Sequence, residues 1–304
     1  MNGSSAFPLE NTITIKAADD FPYVKTTTDN VRLTYNQGHV RLGGPVRCEY
    51  PKGIILKTNG KIGAHYRVRL NEVETGIIAA DQVEALPTGF SQAPYYITNM
   101  SCAPEGEADV VNIPYLSAIP YEVIPEPGQK RVVVRLFGAK TSSTWITHKA
   151  GRKVIEQVTW QQATPETYEV YIHLKTSKIW GYEVEPNGKK LTVRFKHPPA
   201  IAVDEASPLK GLKIAIEAGH GGSNTGAKGL SGLLEKDINL DLSLQLGAIC
   251  RSRGAEVVQV RASDVDMPLL EKRDTAIRSN ADLLISIHAN AAGGGFLRVS
   301  GTST

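Results

Sequence analysis

KIAIEAGHGG (213–222), GLLEKDINLDL (232–242) and DLLISIHAN (282–290) are the stretches whose reading decides the fold of the C-terminal part. Lys213 to Ile216 reads as a short buried strand, with His220 following in a glycine-rich turn. Leu283 to Ile287 reads as a second buried strand that runs directly into His288. Between them, Lys236 to Arg253 has helical spacing, with Ile238, Leu242, Leu246 and Ile249 on one face and Gly254 placed to end it. Glu256 to Val260 reads as a strand and Leu269 to Asn280 as a helix. Strands alternating with helices predict a largely parallel sheet. Ligands of such sheets bind beyond the carboxyl ends of the strands, so His220 and His288 are expected to meet in one crevice. Glu235, at the start of the first helix, can turn towards the same point.

Two histidines and a carboxylate form a zinc-binding set that leaves a coordination position open for water. The compact HExxH helix is absent, so spacing alone leaves a structural role open for each histidine. A nucleotide loop competes for the glycines, but a dinucleotide fingerprint must open a helix at once. Here Gly226, Gly229 and Gly232 keep the chain irregular up to Glu235, and no Gly-Lys-Ser/Thr follows. Asp264 and Asp266 read as a solvated loop, and Arg273 and Arg278 as residues making helix-surface or loop-anchoring contacts.

Working outward, 304 residues are too many for one typical domain. With 41% hydrophobic and 21% charged residues the composition is that of a folded globular chain. A net charge of +3 without a dense basic run gives no argument for nucleic acid, and no stretch approaches the length of a membrane span. Cys48, Cys102 and Cys250 form no CxxC, which argues against a thiolate zinc site. A Cys48–Cys102 disulfide stays open, and Cys250 reads as a small buried hydrophobe on the helix.

The N-terminal two thirds read as β. Residues 1–25 form an arm and 26–88 a first β-domain, in which His65 to Leu70 alternates and Asn59-Gly60 signals a hairpin. After the linker Pro87 to Pro94, residues 95–200 form a second β-domain with strands at 131–137, 168–174 and 191–195. Several short strands joined by turns, Pro186-Asn187-Gly188 among them, suggest a sandwich. Trp145, Trp160, Trp180 and Tyr182 read as core in preference to a glycan-contacting face. A second linker, Ile201 to Pro208, leads to the α/β region at 209–304.

Three resemblances sharpen this reading. GHGGSNTGAKGLSGLLEKDINLDLSLQL (219–246), GAEVVQVRASD (254–264) and LLEKRDTAIRSNADLLISIHAN (269–290) closely resemble, in order and spacing, the zinc-dependent N-acetylmuramoyl-L-alanine amidases of amidase type 3. YRVRLNEVETGIIAADQVEALP (66–87) resembles a bacterial SH3-like domain, although Gly76-Ile77-Ile78 lacks the usual Trp. The region 95–200 resembles the AMIN-type β-domain that precedes such amidases. The expected architecture is multidomain: an all-β part, SH3-like barrel then β-sandwich, followed by an incomplete α/β amidase domain.

The family resemblance implies zinc held by His220, Glu235 and His288, with Asn290 supporting a ligand or contacting substrate. It implies peptidoglycan as substrate, cut between N-acetylmuramic acid and L-alanine by a zinc-activated water. It implies an extracytoplasmic location with the signal peptide outside this numbering, and leaves room for a protein activator. The family often has Asp-Pro where this chain has Glu217-Ala218. Its general-base Glu is expected beyond Thr304, which leaves Glu217 as the catalytic candidate here and predicts little or no activity. The last segment, Gly293 to Thr304, is expected to pack poorly. The alternative is a wall-binding or regulatory protein with an inactive amidase domain.

Overall fold

The computed structural model describes residues 21–36, 44–115, 118–201 and 203–290. The expectation for Gly293 to Thr304 therefore lies outside the described residues. Within them the chain is mostly β, with α-helices at Glu235–Ser252 (α1) and Leu269–Arg278 (α2). It divides into two compact units, Met1–His197 and Pro198–Thr304.

The first unit contains a seven-stranded antiparallel sheet formed by residues 23–85. Its first strand, Tyr23–Thr26, pairs with Ile55–Ile62 on one side and Val83–Ala85 on the other, so the arm ends earlier than residue 25. The hairpin signal at Asn59-Gly60 is a misreading. The strand Ile55–Ile62 runs through both residues with a register shift between Thr58 and Gly60. Leu56, Thr58 and Gly60 all face inward, which keeps the chain extended, and the turn falls at Gly63-Ala64, with Gly63 at φ 55°.

Beyond Pro94 a five-stranded and a four-stranded sheet follow. Val111, Val193 and Phe195 of the former join Val132, Val134, Val170 and Ile172 of the latter in the core. The hairpin at Asn187-Gly188 forms as expected, with Gly188 at φ 83° and Asn187 Oδ1 accepting from the amide of Lys190 at 3.1 Å. Asp109, fully buried, ties the two sheets together. Its carboxylate accepts from the amides of Lys153, Val154 and Ile155 and pairs with His197 Nε2 at 2.9 Å. All three cysteines are free, so Cys48 and Cys102 are not bridged. Trp160 stacks on Tyr168 and Tyr182 packs on Phe195, whereas Trp145 is 65% exposed and does not join the core.

One buried cluster runs from Val24 to Phe195, so the two β-regions share a core. Charged groups line their seam. Arg47 meets Glu122 at 3.0 Å and Glu74 at 3.2 Å, and Arg135 meets Glu169 at 2.8 Å and Glu74 at 3.4 Å. Glu122 is 2% exposed, so its carboxylate depends on these guanidinium groups for solvation. Packing is equally tight at Gly76, where an added Cβ would lie 2.8 Å from the fully buried Leu33 side chain. Gly76→Ala is expected to destabilise the first unit by about 1–3 kcal/mol through overpacking, read from urea unfolding midpoints.

In the second unit the strand Lys213–Ala218 is central, with Glu256–Gln259 and Leu283–Ile287 parallel on either side. The expected apolar face of α1 is not its most buried face, and Ile238 and Leu246 are only half-buried. The buried residues of α1 are Glu235, Asn239, Ser243, Gly247 and Cys250, while Leu242 and Ile249 are exposed. Small and polar side chains let the helix sit close. An added Cβ at Gly247 would fall 2.1 Å from Gln259, whose amide donates to the Ser243 carbonyl. In α2 the buried residues are Lys272 and Ala276, again with the apolar Leu269 and Ile277 exposed.

Candidate metal centre

The parallel register pairs Ala218 with Ile287, which places Gly219-His220 and His288 just beyond the same end of two adjacent strands. Their imidazole centroids are 4.9 Å apart at 76°. Glu235, the first residue of α1, lies between them, with Oε2 3.2 Å from His220 Nε2 and Oε1 3.2 Å from His288 Nδ1. The nearest donor atoms of the three residues all lie within 4.8 Å of one another.

The turn glycines make this approach possible. An added Cβ at Gly219 would stand 2.3 Å from the His288 ring. At Gly226, with φ 66°, it would stand 2.6 Å from His220 and 2.7 Å from Glu235. His220 itself is left-handed, at φ 60°. Its ring is oriented by Nδ1, which donates to Asn224 Oδ1 at 3.0 Å and leaves Nε2 towards Glu235.

Glu235 is 5% exposed, and burial alone would raise its pKa. The amide of Ala227, the His220 charge, the hydrogen bond with His288 and the amide of Ala289 outweigh burial and hold it at about 2. The helix N-terminus also favours a negative charge there. Glu217 is equally committed. It accepts from Lys272 Nζ at 3.0 Å and from Ser286 Oγ. Burial acts to raise its pKa, but these bonds and the lysine charge bring it below the ordinary glutamate range. Asn290 lies exposed two residues beyond His288.

Several residues that hold the turn escaped the sequence reading. Lys272 Nζ also donates to the carbonyls of Ala218 at 3.0 Å and His220 at 2.8 Å. Arg261, 2% exposed, donates to the carbonyls of Ala218, Gly219 and Lys236. Asp264 and Asp266, expected in a solvated loop, accept from the amides of Gly222 at 2.7 Å and Ser223 at 2.8 Å. The available signal was positional: Lys272 shares a helical face with Ala276, and Arg261 directly continues an apolar strand.

Residues 214–304 match the Amidase_3 family, described as N-acetylmuramoyl-L-alanine amidase. Among individual relatives, the uncharacterized protein YqiI of Bacillus subtilis is 41% identical over 99 residues, which is 33% of this chain and 46% of that protein. N-acetylmuramoyl-L-alanine amidase LytC of Bacillus subtilis is 40% identical over 97 residues, 31% of this chain and 19% of its own length. Among solved structures, the amidase AmiC2 of Nostoc punctiforme shares 40% identity, with 27% of this chain and 46% of that chain covered at a TM-score of 0.27. The chain thus spans less than half the length of these relatives.

Proposed function

We propose that this chain is a peptidoglycan hydrolase that cleaves the amide between the lactyl group of N-acetylmuramic acid and L-alanine. The observation that carries the reading is the convergence of His220, Glu235 and His288 beyond two adjacent parallel strands, within an Amidase_3 sequence. The donor set suits zinc. It offers two nitrogen donors and one ionised carboxylate, the set of catalytic rather than closed structural sites. The hydrogen bond from His220 Nδ1 to Asn224 supplies the orienting contact that metal-binding imidazoles usually have. A zinc ion bound there would supply the Lewis acidity that amide hydrolysis needs.

The chain's own residues then divide the remaining work. Glu235, ionised at neutral pH, neutralises part of the metal charge. His288, whose side chain is 36% exposed, and the exposed Asn290 are assigned contact with substrate. Glu217 is assigned a bracing role: a buried carboxylate with a lowered pKa, held by Lys272 and Ser286, is a poor proton acceptor. The first unit, with SH3-like and AMIN-like halves, positions the enzyme on the cell wall. Among the described residues the metal-ligating triad lies in the second unit, which supports that division. Exposed Trp145, its indole N–H held by Thr147 Oγ1 at 3.0 Å, offers a rigid aromatic face for wall glycans. The setting is extracytoplasmic, as the substrate requires. No helix among the described residues is long and apolar enough to cross a membrane.

The test begins with zinc titration of the metal-free chain. One zinc per chain is expected, with binding lost in His220→Ala and in His288→Ala. On purified peptidoglycan, release of L-alanine amino groups is expected only with zinc and only at a low rate, because Glu217 is a poor proton acceptor. Absence of zinc binding, or products with new reducing ends in place of amino groups, would overturn the reading.

A further inference from the structure

A buried lysine underlies the whole cluster. Lys272 is 6% exposed, and its ammonium reaches the Glu217 carboxylate, the Ala218 carbonyl and the His220 carbonyl. Three donors meet three acceptors, which is the full capacity of the group. Through Glu217 the same ammonium connects to Ser286, two residues before His288 on the neighbouring strand. Thus one ammonium–carboxylate pair reaches the backbone of one histidine-bearing segment and a side chain of the other.

The arrangement works against a standing cost. A left-handed non-glycine residue is less stable than a right-handed one by roughly 1–2 kcal/mol, so His220 at φ 60° needs external support. A buried ammonium is itself costly unless every donor is matched. Arg261 secures the carbonyls of Ala218 and Gly219, while the His220 carbonyl is secured by Lys272.

We infer that Lys272 is a positioning residue for the metal centre, fixing the backbone of His220 and, through Glu217 and Ser286, the strand that carries His288, and thereby setting zinc affinity. The inference rests on the zinc reading given above. Outer-shell partners of metal ligands typically account for about 10–100-fold in metal affinity, and Lys272 is placed to act at that scale.

The experiment measures zinc dissociation constants of the metal-free 304-residue chain by chelator competition, with folding followed by circular dichroism. Lys272→Met is expected to weaken zinc binding by about 10–100-fold. Lys272→Arg, which keeps the charge and several donors, is expected to recover most of that loss. Ala276→Gly, on the same helix face but remote from the turn carbonyls, should lower thermal stability and leave zinc affinity unchanged. Should Lys272→Met fail to fold, Lys272→Gln serves in its place. A folded Met or Gln variant that binds zinc as tightly as the parent overturns the inference alone. So does an Ala276→Gly variant that loses as much affinity. A parent chain that binds no zinc overturns the metal-centre reading and this inference with it.

Discussion

Glu235→Gln is expected to weaken zinc binding by well over the ~100-fold that loss of an outer-shell partner causes, because it removes a donor and a charge together. With the carboxylate, two neutral imidazoles and zinc leave one net positive charge at the centre; with the amide they leave two. The substitution also conflicts with its surroundings. Both Glu235 oxygens accept main-chain amides, Ala227 at 2.8 Å and Ala289 at 3.1 Å, and a glutamine must turn its NH2 towards one of them. Chelator competition on the folded variant reads the loss directly. A second readout follows from the low pKa of Glu235, about 2. The carboxylate is ionised at neutral pH before metal arrives, so no proton released on zinc binding comes from it. Affinity equal to that of the parent would remove Glu235 from the donor set.

Asp109→Asn is expected to destabilise the first unit by about 3–5 kcal/mol at pH 7, the usual result of breaking a buried ionic network from one side. An asparagine can accept through one oxygen only, while its NH2 would face amide donors of Lys153, Val154 or Ile155. The effect carries a pH signature. Burial tends to raise the Asp109 pKa, but the amide of Ile155, the His197 ring and the amides of Val154 and Lys153 bring it below the ordinary value. A folded-state pKa below the unfolded one, about 3.9, contributes stability that is present above that pH. That stability is lost as pH falls through the lower folded-state value. The gap between parent and variant should therefore be widest near neutrality and shrink below about pH 4. Trp145, Trp160 and Trp180 are the three tryptophans of the chain and all lie in this unit, so their fluorescence isolates its unfolding. A gap independent of pH would show that the carboxylate charge contributes nothing.

The convergence of His220, Glu235 and His288 was legible because its placement follows from local pattern. Two apolar runs end at His220 and His288, and parallel pairing brings such ends together whatever the rest of the chain does. The strands at 131–137 and 283–287 were legible as apolar runs, but the expected burial of the second does not hold: Leu283 and Leu284 are exposed. What escaped depends on partners distant in sequence. A lysine in a helix reads as solvent-facing until the carbonyls of Ala218 and His220 are known to lie beside it. Asp264 and Asp266 are exposed loop residues as expected, but their bonds to the Gly222 and Ser223 amides were not legible because those amides are 42 and 43 residues away. The apolar stripe of α1 misled for a different reason. Periodicity reports that a helix has a face, but here close approach to the sheet selected the small residues. Asn59-Gly60 misled because burial of Leu56, Thr58 and Gly60 on one face of the strand outweighed turn propensity.

The seam inside the first unit bears on how such chains are assembled over evolutionary time. Arg47 and Glu74 belong to the first β-region, and Glu122, Arg135 and Glu169 to the second. Recombination that exchanged residues 26–88 for an unrelated small barrel would strand the Glu122 carboxylate without its Arg47 counterion. Neither half is therefore a portable cassette. The heritable module is the whole stretch up to His197, and a crossover that preserves function has to fall at the irregular segment that follows it.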